Sequence, residues 1–127
     1  TSVIAKKDYI VLSAVIRLEN GKKEEIKAVM DDLKEKRITK QPLEYPSAGS
    51  TFKRPEGYFA GKLVMDAGFS GYAVGGAKVS EKHCGFLINA GGATASDVME
   101  LIRQIQAKVK EQFGVTLEPE VKFLGEF

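Results

Sequence analysis

An α+β domain, about three helices on a small sheet, is the fold this sequence predicts. Three observations carry that expectation. Two long segments, Lys22 to about Lys40 and Thr94 to Phe113, repeat apolar residues at helical spacing. Short β-branched runs stand between turns rich in glycine and proline. At 127 residues, 43% hydrophobic and 28% charged, the chain has the size and balance of one globular domain with its own core.

Tyr9–Leu18 reads Tyr-Ile-Val-Leu-Ser-Ala-Val-Ile-Arg-Leu, apolar almost throughout, and predicts a strand buried on both faces. Asn20-Gly21 ends it with a turn. Ile26, Val29, Met30 and Leu33 then fall on one face of a helix whose other positions are charged. Gln41-Pro42 closes that helix, because the residue before a proline disfavours the α region. Pro42 to Gly57 is dominated by Pro, Gly and Ser and predicts an ordered loop, the kind of segment on which binding groups concentrate. Phe59–Ala67 predicts a short helix stopped at Gly68, and Gly71–Gly76 a glycine-rich turn. Short strands are expected at Ala77–Val79 and Gly85–Asn89. Thr94 and Asp97 stand three apart, as a capping box requires, with Asp in place of Glu. The helix they open puts Val98, Leu101, Ile102, Ile105, Val109 and Phe113 on one face and ends at Gly114. Val121–Leu124 predicts a last short strand.

The composition excludes several function classes. With 19 basic and 17 acidic residues the net charge is +2, too balanced to argue for nucleic acid. No apolar run approaches the roughly 18 residues of a membrane helix. A single cysteine, Cys84, forbids an internal disulfide and fits a reducing cytoplasm. One histidine and one cysteine cannot build a zinc finger or ribbon, and no metal site is expected. The chain opens Thr1-Ser2 without Met, so it is expected to be a piece of something longer.

Several residues could carry chemistry. Gly49-Ser50-Thr51-Phe52-Lys53-Arg54 places a serine beside glycine in a proline-bounded loop, where it could approach a ligand closely or merely cap a turn. No Gly-x-Ser-x-Gly elbow is present, so a serine hydrolase is poorly supported. Glu118-Pro119-Glu120 offers two carboxylates, either for acid–base work or as solvated charges. Gly71, Gly75 and Gly76 suggest a tight turn, since no Gly-Lys-Ser/Thr follows as a phosphate loop needs. His83 and Cys84 are adjacent, so in a strand they face opposite ways and form no dyad. Cys84 suits a core, and His83 suits either a polar ligand contact or plain surface. Lys40, Lys53 and Arg54 group positive charge around the loop, where Arg suits bidentate carboxylate or phosphate binding.

In this order the segments form a pattern. Pro46-Ser-Ala-Gly-Ser-Thr-Phe-Lys-Arg-Pro55 is followed by Phe59-Ala-Gly-Lys-Leu63 and Gly71-Tyr-Ala-Val-Gly-Gly-Ala77, then by Val79-Ser-Glu-Lys-His83 and Leu117-Glu-Pro-Glu-Val121. From about Tyr9 to its end the chain resembles the C-terminal domain of the UDP-N-acetylenolpyruvoylglucosamine reductases, also called UDP-N-acetylmuramate dehydrogenases. The serine loop and the terminal Glu-Val strand are the most specific parts. The resemblance implies a three-domain flavoenzyme of cytoplasmic peptidoglycan precursor synthesis. It implies that FAD is held by two N-terminal domains absent from this chain, that NADPH is the electron donor, and that the UDP-sugar substrate lies against this third domain. It implies that reduced flavin passes hydride to the enolpyruvyl C3 and that Ser50 gives the proton to C2. It further implies that Glu120 polarises the substrate carboxyl, for which a carboxyl needs a proton or a cation beside it. Lys40, Arg54 and His83 carry over as substrate contacts, Lys40 on the diphosphate. No cofactor contact is implied in this chain, and a catalytic arginine belongs to one of the absent domains.

Two departures from the family pattern stand out. Pro55 runs almost directly to Phe59, so the tyrosine-bearing insertion of some members is missing and the chain matches the shorter subtype. Ala73 replaces a larger polar residue. Beside the enzyme reading stand a stand-alone nucleotide-sugar binding module without redox activity and a purely structural or interaction domain. Flavin absorbance of the full-length protein separates the first from the others.

Overall fold

The computed structural model describes residues 3–7 and 9–126. The chain divides into two compact units, one ending at Leu33 and the other starting at Lys34.

The first unit holds a short 3₁₀ turn at Val3–Lys6 and the start of helix α1, Lys23–Lys40. The helix forms where its periodicity predicts it. Glu24 and Glu25 lie in its first turn and Arg37 and Lys40 in its last, the charge order that suits the helix dipole. Lys27–Asp31, at 2.6 Å, adds an i,i+4 pair. No side chain of α1 is buried, so the apolar face of Ile26, Val29, Met30 and Leu33 is formed but uncovered.

The strand expected at Tyr9–Leu18 does not form. Leu12 and Val15 are 93% and 98% exposed. The reason is physical. A strand apolar on both faces is stable only with a neighbour to bond and layers to cover it, and the sheet is built entirely from residues 47–89.

The second unit carries the core. Four short antiparallel strands lie in the order β1-β4-β3-β2, with β1 Ser47–Ser50, β2 Ala73–Val74, β3 Ala77–Val79 and β4 Phe86–Asn89. Helix α2, Ala60–Asp66, and helix α3, Ala95–Phe113, complete it. Leu101, Ile105 and Val109 of α3 are fully buried with Val64 of α2, Val79 of β3 and Leu117. The expected capping box is present: the Thr94 hydroxyl accepts from the Asp97 N–H, and the Asp97 carboxylate accepts from the Thr94 N–H. Gly114 ends the helix. Three helices and a small antiparallel sheet make the α+β fold the sequence predicts.

Strands β1 and β2 arise in segments read as loop and glycine turn. The last strand, expected at Val121–Leu124, is not formed, and Leu124 is 83% exposed. The pairing falls earlier, at a single bridge between Phe52 and Pro119.

Candidate active site

β1 is irregular. Ser47 faces Ile88 and Ser50 faces Phe86, so Ala48 and Gly49 of β1 stand against Leu87 alone of β4 and the ladder bulges between them. Gly49 takes up that bulge at φ 86°, a conformation that strains any residue with a Cβ. Beyond the bulge the chain is clasped on its other edge. The Lys53 N–H donates to the Glu118 carbonyl at 2.8 Å and the Glu120 N–H to the Thr51 carbonyl at 2.8 Å. The Lys53 ammonium also pairs with the Glu118 carboxylate. This short antiparallel contact brings the serine loop alongside the Glu118–Glu120 segment.

The result is a cavity of about 500 Å³. The loop contributes Ser50, Phe52 and Arg54 to it, and Phe59, Gly61, Lys62 and Met65 line it from α2 and its entry. The turn between β3 and β4 adds Glu81, Lys82, His83, Cys84 and Gly85, and the last segment adds Glu120. Four residues singled out from the sequence, Ser50, Arg54, His83 and Glu120, therefore share one cavity. Lys40, the last residue of α1, does not line it.

Two of the cavity's cations are tied to carboxylates: Lys62 to Asp66 at 2.9 Å and Lys82 to Glu44 at 3.3 Å. Arg54 has no carboxylate partner among the described residues. Its guanidinium carbon lies 4.1 Å from the centre of the Phe59 ring, a cation–π contact that leaves the planar fork open to an anion. Glu120 has no ion pair among the described residues either. His83 is held in place by the Gly85 N–H, which donates to its Nδ1 at 3.1 Å, and by the Phe86 ring, edge-on at 4.9 Å. With Nδ1 accepting, a neutral imidazole carries its proton on Nε2, where it can donate. Gly61 makes room for this histidine, since a Cβ there would stand 3.0 Å from the Gly85 nitrogen and 3.3 Å from the imidazole Cε1. Cys84 is buried, as a core cysteine is. No group of residues suited to a metal ion occurs among the described residues.

The glycine turn resolves as packing. Gly75 and Gly76 lie against Asp97, whose carboxyl is held below its ordinary value, first by the Thr94 backbone N–H and with a smaller contribution from Gly76. The start of α3 thus already carries its anion.

The cavity-lining residues that sequence reasoning passed over include Phe59, Lys62, Glu81 and Lys82. Each sits inside a quoted motif, but only the packing of α2 against the β3–β4 turn shows which side faces the cavity.

The α+β domain presents an open arginine, a serine and a carboxylate in one cavity. The family described as UDP-N-acetylenolpyruvoylglucosamine reductase, C-terminal domain, matches residues 41–124, and the chain belongs to it. The UDP-N-acetylenolpyruvoylglucosamine reductase of Agathobacter rectalis is 65% identical over 126 residues, covering 99% of this chain and 40% of that protein. The reductase of the same name from Caldanaerobacter subterraneus subsp. tengcongensis is 62% identical over 125 residues, covering 98% of this chain and 41% of that protein. The crystal structure of the Thermus caldophilus UDP-N-acetylenolpyruvylglucosamine reductase aligns with a TM-score of 0.68 at 37% identity, over 84% of this chain and 37% of that one. The chain thus spans about 40% of the length of the curated relatives it matches.

Proposed function

We propose that this chain is the substrate-binding and proton-donating domain of a reductase that converts UDP-N-acetylenolpyruvoylglucosamine to UDP-N-acetylmuramate in cytoplasmic peptidoglycan precursor synthesis. The observation that carries the reading is the meeting of Ser50, Arg54, His83 and Glu120 around one cavity, in a chain of this family.

The reaction reduces a carbon–carbon double bond by two electrons, as hydride at C3 and a proton at C2. The glycine-preceded start of α3 is filled by the Asp97 carboxylate, so it offers no seat for a dinucleotide's diphosphate. FAD, and the NADPH that reduces it, are assigned to the remainder of the polypeptide, which also supplies the cover for the apolar residues of 9–33.

What this chain supplies is binding and a proton. Arg54 offers a fixed, paired donor face for the substrate's carboxylate or phosphate oxygens. His83 donates from Nε2. Ser50 gives its hydroxyl proton to C2. A serine is a weak acid in water, but an enolate developing in a closed site is a strong enough base to take its proton. Glu120 acts on the substrate carboxyl only with a proton or a cation beside it, and since no described residue pairs with it, that cation or proton has to come with the substrate or from the remainder of the polypeptide. Lys40 is kept as a contact to the diphosphate on the resemblance alone, since it lies outside the cavity.

The test is Ser50→Ala in the full-length protein. Flavin reduction by NADPH is expected to stay within about 2-fold, while reoxidation by the enolpyruvyl substrate slows by roughly 10²- to 10⁴-fold. Binding of UDP-N-acetylmuramate, measured by calorimetry, should hold. A normal second half-reaction would remove Ser50 from the chemistry.

A further inference from the structure

We propose that Thr51, assisted by Ser47, is a positioning residue that sets Ser50 against Glu120; the inference rests on the reading of the cavity just given.

Thr51 is one of two buried polar residues among the described residues, 3% exposed, and it stands between the proposed proton donor and the core residue Phe52. A polar side chain is retained inside a protein when its hydrogen bonds are made. Those of Thr51 run to both sides of the loop. Toward β4, its N–H donates to the Gly85 carbonyl at 2.9 Å and its Oγ1 accepts from the Leu87 N–H at 3.2 Å. Toward the last segment, its carbonyl accepts from the Glu120 N–H at 2.8 Å. One residue therefore holds β4, the serine loop and the Glu120 backbone together.

The reason a side chain is needed lies in the bulge. In an unbroken antiparallel ladder the Leu87 N–H and carbonyl would both meet backbone groups of β1. Here the bulge displaces those partners, and hydroxyls take their places. Thr51 accepts from the Leu87 N–H, and the Ser47 Oγ donates to the Leu87 carbonyl at 2.8 Å. The bulge turns Ser50 to the cavity, and the two hydroxyls hold the bulge in register. Neither Thr51 nor Ser47 lines the cavity, so neither meets substrate there.

The test uses the full-length enzyme with Thr51→Val, which keeps the branched shape and removes the acceptor, and Thr51→Ser, which keeps the acceptor. Misplacing a reacting group by a fraction of an ångström is expected to lower kcat by roughly 10- to 100-fold in Thr51→Val, with KM within about 2-fold. Thr51→Ser should recover most of that loss. If Thr51→Val does not give folded enzyme, Ser47→Ala replaces it, with a fall in kcat at constant KM expected. Ser50→Ala is run alongside. Unchanged kcat in Thr51→Val, or in Ser47→Ala where it stands in, while Ser50→Ala is crippled, overturns the positioning role. So does a Thr51→Ser enzyme as slow as Thr51→Val, which would mean that shape rather than the hydroxyl matters. A silent Ser50→Ala would instead overturn the reading of the cavity.

Discussion

Val15 and Val79 are the same residue in runs of similar apolar character, yet Val15 is 98% exposed and Val79 is 0% exposed. The contrast extends to the two regions they represent. Residues 9–33 put Ile10, Leu12, Val15, Ile16, Leu18, Val29, Met30 and Leu33 in the open. From Lys34 onward, the apolar positions of α2, β3, β4 and α3 close on each other. An apolar pattern states that a residue needs cover and fixes the period of the element that carries it. It does not state which part of a polypeptide provides the cover. In the later region the cover is local: α3 lies on the sheet, and the Leu117 carbonyl accepts from the Gln106 amide at 2.8 Å. For the earlier region, the larger part of each curated relative lies outside the matched segment, and that is where the proposed reading puts its partner.

The largest expected effect tests this contrast directly. Ile105→Ala removes a fully buried side chain and should cost about 2–5 kcal/mol of stability, lowering the urea midpoint of the 127-residue chain. Leu33→Ala, on the uncovered face of α1, should stay within about 0.5 kcal/mol in that chain. In the full-length protein Leu33→Ala should become clearly destabilising. Equal losses for both variants in the short chain would erase the distinction between the regions.

A second expectation compares the cavity with the end of α1. Charge-assisted hydrogen bonds are worth roughly 1.5–3 kcal/mol, or about 10- to 100-fold in affinity. In the full-length enzyme, Arg54→Ala should raise the substrate KM by a factor in that range, and Arg54→Lys should recover only part, because an ammonium cannot copy the planar fork. Phe59→Ala removes the ring under the guanidinium and should weaken binding by only about 2- to 5-fold, the scale of an exposed cation–π contact. Lys40→Ala decides the one assignment without support from the cavity. A KM rise equal to that of Arg54→Ala, weakened by added salt, places Lys40 on the substrate. An unchanged KM withdraws it.

Legibility followed how local each feature is. Thr94, Asp97 and Gly114 mark the ends of α3 by interactions within a few residues of sequence, and both ends form as read. β3 and β4 announce themselves by Val79 and by Phe86-Leu87-Ile88. Ser47-Ala-Gly-Ser50 and Ala73-Val74 carry little β propensity of their own. They are strands because β4 and β3 offer them unpaired edges, and no local pattern reports that. Tyr9–Leu18 and Val121–Leu124 err the other way, with strand-like composition and no ladder. The site shows the same division. Motifs point to Ser50, Arg54, His83 and Glu120, which line one cavity, whereas Thr51 and Phe59 owe their places to a bulge and to the entry of α2.

The smallest effect concerns the cap of α3, a feature wholly inside the packed region. The Asp97 carboxyl is held below its ordinary value of 3.8, first by accepting from the Thr94 backbone N–H. Its folded-state pKa therefore lies under its unfolded one. The contribution is complete above the ordinary aspartate range and is lost as pH falls through the lower, folded value. Glu44, lowered first by a hydrogen bond from its own backbone, and Glu111, lowered by Lys108, titrate in the same direction, so the native protein alone cannot isolate Asp97. Asp97→Asn can, because an amide still accepts one hydrogen bond but does not titrate. The native chain should unfold at a higher urea concentration than Asp97→Asn by a constant margin from pH 8 to pH 5. That margin should shrink below about pH 4, where the aspartate begins to take up its proton. A margin that stays constant or widens down to pH 3 would mean that the charge on Asp97 does not hold the start of α3.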